Sequence, residues 1–184
     1  MFTDVDVQVR FSLYPMADDY AEIILNHLEE IKPFNVDLET DDVSTLMTGK
    51  IDSVFGALEA LTASVARTGV HFAVSGMFMV NCPTFEKIKT VPQKVVLPKC
   101  RHYVSSQFYI FPLGVDRYID TVMDEVLHAH HAGLVKAEMH GSAGIHGELS
   151  DVLRYYKQAL LRAKSHTFLQ VTMSVNNPAH FKEQ

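Results

Sequence analysis

An internal duplication constrains the fold of this 184-residue chain more than any other feature of its sequence. The block Phe11–Met16 (aromatic, x, aliphatic, aromatic, Pro, aliphatic) returns at Phe108–Leu113, and an Asp-x-Tyr sequence follows each copy. A glycine block at 49–54 returns at 147–152, a serine precedes each of those glycines by five positions, and a His-to-Pro segment at 71–83 returns at 166–178. The offset stays close to 97 residues, so the blocks indicate a tandem duplication.

Each copy predicts the order strand, helix, strand, strand, helix, strand. Residues 7–14 alternate between apolar and polar, which is the period of a half-buried strand. Asp18 is expected to cap a helix that Pro33 ends, with Tyr20 on its apolar stripe, and Gly49 is expected to open a second helix that Gly69 ends. The remaining strands of the first copy are predicted at 35–39, 43–48 and 70–80. The second copy repeats the order at 103–111, 115–131, 134–138, 142–146, 148–165 and 167–176.

This order is the βαββαβ motif, so the predicted fold class is α+β: tandem ferredoxin-like repeats with antiparallel sheets. The predicted division is a first repeat at 1–83, a connector at 84–102 and a second repeat at 103–184. Right-handed crossovers place the strands of each repeat in the order 4-1-3-2, with both helices on one face of the sheet. The other face must be polar, be covered, or bind something.

Composition argues against several classes of protein. The net charge of −6 gives no basic surface for nucleic acid, and the lysine-containing segment 87–101 is better explained as a solvated connector. No apolar run is long enough to cross a membrane, and the acidic start does not resemble a signal peptide. The two cysteines, Cys82 and Cys100, are expected to be free thiols. The prediction is a cytoplasmic protein without membrane insertion.

The alternation along the strands selects the candidate site residues. In the first strand Arg10, Ser12 and Tyr14 point away from the helices, where hydroxyls and a guanidinium beside an aromatic ring make a plausible pocket for a small polar ring. The alternative, favoured about two to one, is that Arg10 pairs with an acid at a contact between sheets. The further candidates on neighbouring strands are Ser75, Met77 and either Ser44 or Thr45, since the register does not choose between the last two.

Other residue clusters point less clearly to chemistry. His128, His130 and His131 lie at the end of a predicted helix, where the helix dipole favours histidine, and no third metal ligand is evident among His140 and His146. Cys82 has no base near it in sequence. We therefore predict no metal, no cofactor and no catalytic residue.

Several blocks resemble one known family. They are the run from Arg10 to Met16, the run from Thr40 to Thr45, Gly49, Val54–Phe55, Gly76, Phe78 and Cys82–Pro83. Together they resemble the YkoF family of thiamin/hydroxymethylpyrimidine-binding proteins. The resemblance implies tandem ferredoxin-like repeats in a homodimer, a small pyrimidine-type ligand, association with a thiamin-precursor transporter in uptake or salvage, and no catalysis. It also implies that Thr45 contacts the ligand, with Arg10, Ser12 and Ser44 lining or supporting the site.

Two alternatives to a binding protein stay open: a small-ligand enzyme of dimeric ferredoxin-like fold, and a structural or regulatory oligomeric module. The second repeat differs from the first at the candidate positions, because Arg10 is replaced by Gln107, Ser12 by Tyr109 and Thr45 by Ala143. The first repeat is therefore the predicted binding repeat, with Tyr109 partly filling the second cavity. The weaker candidates in the second repeat are Gln107, Tyr109, Ser142 and Thr172.

Overall fold

A computed structural model describes residues 4–83, 95–139 and 142–179, and only the backbone of 136–139 and 142. The first repeat contains β1 (Asp6–Pro15), α1 (Tyr20–His27), a 3-10 helix (Leu28–Phe34), β2 (Asp37–Thr40), β3 (Thr45–Lys50), α2 (Ile51–Ala66) and β4 (Phe72–Val80). The second repeat contains β5 (Tyr103–Pro112), α3 (Tyr118–His131), β6 (Val135–Met139), β7 (Ser142–Glu148), α4 (Leu149–Arg162) and β8 (Thr167–Val175). The tandem βαββαβ prediction is confirmed.

The two repeats form one antiparallel sheet of eight strands in the order β2-β3-β1-β4-β8-β5-β7-β6. Each half has the predicted order 4-1-3-2. The sequence did not predict the junction, at which β4 pairs with β8 from Phe72↔Val175 to Val80↔Thr167. Gly76 and Val171 are equivalent positions of the two repeats and are also cross-strand partners. A local pseudo-twofold axis therefore passes through that pair.

The core lies on one side of this sheet. Side chains along β4 and β8 alternate between buried and half-buried, as expected for strands covered by helices on one face. The predicted inward residues of α2, among them Ile51, Leu58 and Val65, are buried. Helices α2 and α4 also contact each other across the repeat boundary, so the repeats share their core as well as their sheet.

The first helix differs from its prediction. Helix α1 ends at His27, and a 3-10 helix that contains Pro33 continues the chain to Phe34. Proline lacks an amide hydrogen and so cannot complete the α-helical ladder, whereas short 3-10 turns tolerate it. The N-cap is Asp19, without a side-chain capping bond, rather than Asp18, and Tyr20 is 57% exposed rather than inward.

At the ends of β4 and β8, an asparagine side chain of each repeat donates hydrogen bonds to the backbone of the other repeat. Asn81 and Asn176 have positive φ values of 55° and 53°, a conformation that asparagine tolerates better than most residues. The Asn81 side-chain amide donates to the backbone oxygens of Ala163 and Ser165, at 3.2 and 3.1 Å. The Asn176 amide donates to those of Ala66 and Val70, at 2.8 and 3.1 Å.

The described part of the predicted connector lies against the helices. Val95, Leu97 and Cys100 pack against the core, and the Cys100 amide donates to Ser150 Oγ at 2.8 Å. Residues 84–94 of that connector lie outside the described residues. The domain limits themselves stay a prediction. None of the described helices is long and apolar enough to span a bilayer.

Candidate functional site

The face of the sheet opposite the helices, called the open face below, carries most of the predicted site residues. Cross-strand pairing joins Arg10 to Met77 and Ser12 to Ser75 between β1 and β4. Paired residues share a face of a sheet. These four side chains therefore form two adjacent rows, and Tyr14 follows Ser12 along β1 with 54% of its surface exposed.

Arg10 is fixed by the turn between β2 and β3. Its Nη1 lies 2.6 Å from Asp41 Oδ2 and 3.0 Å from Ser44 Oγ. Ser12 Oγ donates to the backbone oxygen of Val43 in the same turn, at 3.1 Å. We call Arg10, Ser12, Asp41 and Ser44 the Arg10 cluster. It is half-exposed: Arg10 and Asp41 expose 46% and 50% of their side chains.

Asp41 organises this turn with both carboxylate oxygens. Oδ1 accepts the backbone amides of Val43 and Ser44, each at 2.9 Å, while Oδ2 holds Arg10. These hydrogen bonds, the one from Ser44 first, lower the pKa of Asp41 to about 2. Arg10 is thus paired with an acid, but with Asp41 of its own repeat and not at the predicted contact between sheets. Asp41 is not among the site residues predicted from the sequence.

The structure separates Ser44 from Thr45. Thr45 pairs with Phe11, whose side chain is buried beneath the helices, and its Oγ1 lies 3.0 Å from Thr40 Oγ1. Thr45 therefore lies on the helix side of the sheet, away from Arg10, and Ser44 is the residue that contacts Arg10. Of the two alternatives, Ser44 is therefore the neighbour of Arg10, because successive strand residues point to opposite faces. That Thr45 contacts the ligand stays a prediction.

The candidates of the second repeat lie beside those of the first. Across the junction Ser75 pairs with Thr172, which pairs in turn with Gln107, and Met77 pairs with Gln170, which pairs with Tyr109. Tyr109 is half-buried and stacks with Phe111 at a ring distance of 6.4 Å. Ser142 pairs with Met139 through its backbone. The two predicted sites thus form one continuous surface, and the partial filling of a second cavity by Tyr109 stays a prediction.

The histidine cluster and the two cysteines lie outside the Arg10 cluster. His128, His130 and His131 occupy the last turn of α3, as predicted, while His140 lies outside the described residues. Among the described residues no group of three or more potential ligands is placed to hold a metal ion. Cys82 and Cys100 are not joined by a disulfide, and burial raises the pKa of Cys100. A cavity of about 710 Å³ between α3 and α4 contains none of the predicted site residues.

Fold and site together define a class: tandem ferredoxin-like chains with a polar cluster on the open face of a shared sheet. The YKOF-related Family model matches residues 6–85 and 103–180, and the chain belongs to that family. A protein of Bacillus subtilis (strain 168), provisionally named HMP/thiamine-binding protein YkoF, is 27% identical over 180 residues, which is 92% of this chain and 90% of that protein.

Comparison with solved structures adds no functional argument. The regulatory subunit of aspartate kinase from Thermus thermophilus, in its ligand-free form, aligns over 90% of this chain and 96% of its own. The TM-score is 0.24 and the sequence identity 13%, values too low to support an inference about either protein from the other.

Proposed function

We propose that the protein binds a small pyrimidine-type ligand, thiamin or its hydroxymethylpyrimidine part, at the Arg10 cluster. The observation that carries the proposal is the hydrogen bonding of the Arg10 guanidinium. Asp41 and Ser44 fix its Nη1, while Nε and Nη2 make no hydrogen bond to any of the described residues. A planar, immobilised pair of donors is thus presented beside the hydroxyl groups of Ser12 and Ser44.

That arrangement suits an aminopyrimidine. Its ring nitrogens accept hydrogen bonds and its amino group donates them, while serine hydroxyls can do either. Asp41 balances the charge of Arg10, so the cluster suits a neutral ring better than an anion. Met77 lies directly beside Arg10 on β4 and offers a polarisable apolar surface for the ring. The name of the Bacillus subtilis relative supports the same ligand class.

Binding is favoured over catalysis by the properties of Asp41. Asp41 is paired with Arg10, and its pKa of about 2 makes it a poor proton acceptor near neutral pH. We therefore propose a binding protein in thiamin-precursor uptake or salvage. We also place it in the cytoplasm, with its two thiols reduced, and propose an association with the transporter of that precursor.

Calorimetric titration with hydroxymethylpyrimidine, thiamin and the thiazole part of thiamin tests the ligand. We expect heat with the first two only, and about a tenfold or greater loss of affinity in Arg10→Gln, which installs the residue found at position 107. The matched control is Arg67→Gln, since Arg67 lies on the helix side of the sheet. Its Nη2 lies 3.9 Å from Glu30 Oε1. Absence of heat with both pyrimidines at millimolar concentration would overturn the proposal.

We further infer that a second copy of the chain covers the open face. Phe111 and Tyr14 expose 45% and 54% of their surface there, and Met77, Met79 and Phe168 are half-buried beside them, so a partner would bury a broad, partly apolar surface.

Sedimentation equilibrium should give twice the 20.7 kDa chain mass. Phe111→Lys should shift the mass to that of one chain, whereas Leu127→Lys, 51% exposed on α3, should not. A monomeric wild-type protein would refute the dimer.

A further inference from the structure

Helix α3 directs long apolar side chains toward solvent. Ile119, Met123 and Leu127 are spaced four residues apart and expose 52%, 53% and 51% of their surface. Residues four apart lie on the same face of a helix, one turn above the other. These three side chains therefore form a continuous row along the outer side of α3, which we call the α3 stripe.

The inner side of α3 is held mainly by polar contacts. Its buried residues are Glu125 and Ala129, and Val122 packs partly against the core. The Glu125 carboxylate accepts a hydrogen bond from Arg162 Nε at 2.9 Å, and the Glu125 backbone oxygen accepts one from the Tyr155 hydroxyl at 2.9 Å. A surface helix normally turns its apolar stripe to the core and its charges to water. In α3 a carboxylate is buried while three long apolar side chains face water, so packing against the core does not account for the α3 stripe.

The equivalent helix of the first repeat shows that the fold does not require the α3 stripe. The two repeats align at Tyr20 and Tyr118, so Ala21, Leu25 and Glu29 take the places of the three stripe residues. A small residue and a charged residue thus replace the two ends of the row, and Leu25 alone is a long apolar side chain. The stripe is a feature of the second repeat only.

A row of carboxylates runs beside the α3 stripe. Asp120 and Asp124 are four residues apart and each lies three residues before a member of the stripe, a spacing at which helix side chains are neighbours. Asp116 precedes the helix at the same spacing, and it is exposed like Asp124. Asp120 Oδ2 lies 2.8 Å from Arg117 Nε, but a pair between two exposed residues of neighbouring turns is weak. The outer surface of α3 therefore combines an apolar row with an acidic edge.

From these observations we propose that the outer surface of α3 docks an amphipathic helix of another protein. The partner helix carries apolar residues at four-residue spacing, which pack against the α3 stripe, and lysine or arginine along the edge that meets Asp120 and Asp124. The stripe spans eight residues, about 12 Å along the helix axis, which two to three turns of a partner helix cover. Apolar anchors supply the affinity in this mode of recognition, and the charges beside them set direction and register.

Charge argues against two other occupants of this surface. A second copy of α3 would bring the same aspartates and neither lysine nor arginine, since α3 contains none. An anionic membrane attracts basic segments, so an acidic edge disfavours it. Because α3 lies on the helix side of the sheet, a docked partner leaves the open face accessible to a ligand or a second copy. The inference is independent of the proposed pyrimidine binding.

Fluorescence anisotropy of a labelled synthetic peptide, titrated with the full chain, tests the docking. The probe is an amphipathic helix of roughly 18 residues, or five turns, with leucines at four-residue spacing and lysines along one edge. The comparison peptide has glutamates in place of the lysines. We expect saturable binding of the lysine peptide and at least about tenfold weaker binding of the glutamate peptide. Equal binding of the two peptides, or no binding of the lysine peptide at about 1 mM protein, would overturn the inference.

Matched variants of equivalent residues locate the contact. Met123→Lys should weaken binding of the lysine peptide by about tenfold or more, because it places a charge in the apolar row. Leu25→Lys, at the equivalent and 65% exposed position of α1, should bind as the wild type does. Asp120→Lys should also weaken binding, whereas Glu22→Lys at the equivalent position should not. Equal effects within either pair would place the contact elsewhere and refute the proposal.

Two further measurements separate this surface from the other proposals. Hydroxymethylpyrimidine should bind Met123→Lys as it binds the wild type, so loss of peptide binding with intact pyrimidine binding and an unchanged circular dichroism spectrum supports the docking surface. A wild-type mass that sedimentation shows to exceed the dimer, and that falls in Met123→Lys, would identify a second copy as the occupant and would overturn the proposed partner.

Discussion

At the scale of single residues, Asp41 links pH to the state of the Arg10 cluster. Hydrogen bonds from Ser44 and Val43, and then from Arg10, hold its pKa at about 2, below the ordinary value of 3.8. The folded chain thus favours the charged carboxylate, so Asp41 contributes stability above pH 3.8 that is lost as the pH falls toward 2. Carboxyl NMR titration should give this low pKa, and an ordinary value would contradict the geometry.

Substitution separates the role of this carboxylate from that of its neighbour. Asp41→Asn should remove the part of the acid sensitivity that belongs to the turn and should release Arg10, so that pyrimidine affinity falls as well. Asp42→Asn, the adjacent exposed acid, should leave both properties close to those of the wild type. Chemical denaturation at several pH values between 2 and 5 measures the first effect.

A second residue-scale prediction concerns the buried polar pair in repeat two. Tyr156 is fully buried, and its hydroxyl lies 2.5 Å from Ser106 Oγ, which also donates to the backbone oxygen of Thr172 at 2.9 Å. Burial raises the pKa of Tyr156, so it stays neutral. Ser106→Ala should destabilise the fold by about 1–3 kcal/mol because the phenol loses its partner. The double variant with Tyr156→Phe should recover most of that loss in urea denaturation; an additive loss would contradict it.

At the scale of elements, the lack of a side chain at Gly56 of α2 leaves room for the ring of Phe34 in the 3-10 helix. A Cβ on Gly56 would lie 2.6 Å from Phe34 Cε1, and Phe34 is buried. Glycine to alanine usually stabilises a helix by about 1 kcal/mol, but here overpacking should reverse the sign, with a loss of about 1–3 kcal/mol. Phe34→Leu should partly rescue Gly56→Ala. Thermal unfolding of the four chains measures this coupling, and a stabilised Gly56→Ala protein would disprove it.

The same elements show what the sequence predicts and what it does not. The alternation in β1 correctly assigned Arg10 and Ser12 to the open face, because period two is a local property. The choice between Ser44 and Thr45 depends on register across β1 and β3, and one step of register reverses the face of each side chain. Likewise the Asp41–Arg10 pair joins positions 31 residues apart, so no local pattern reveals it.

At the scale of the whole molecule, no local sequence pattern predicts that β4 pairs with β8 at the junction of the repeats. The alternating pattern of β4 is equally consistent with an edge strand and with a central strand. Pairing along the whole length of both strands converts two four-stranded sheets into one and removes two exposed edges. It also places the candidate residues of both repeats on a single surface of the sheet, which makes recognition of one ligand by both repeats geometrically possible.

This shared sheet predicts that the repeats unfold together. Asn81 and Asn176 add hydrogen bonds from each repeat to the other. Replacing Asn176 by glycine keeps the positive φ accessible but removes two hydrogen bonds to the other repeat, which should lower stability by about 1–2 kcal/mol. Hydrogen exchange should then accelerate at the amides shared by β4 and β8. Asn35→Gly, at a third asparagine with positive φ, 51°, should leave exchange at the junction unchanged. Two separate urea transitions in the wild-type chain, or junction amides insensitive to Asn176→Gly, would show that the repeats are independent.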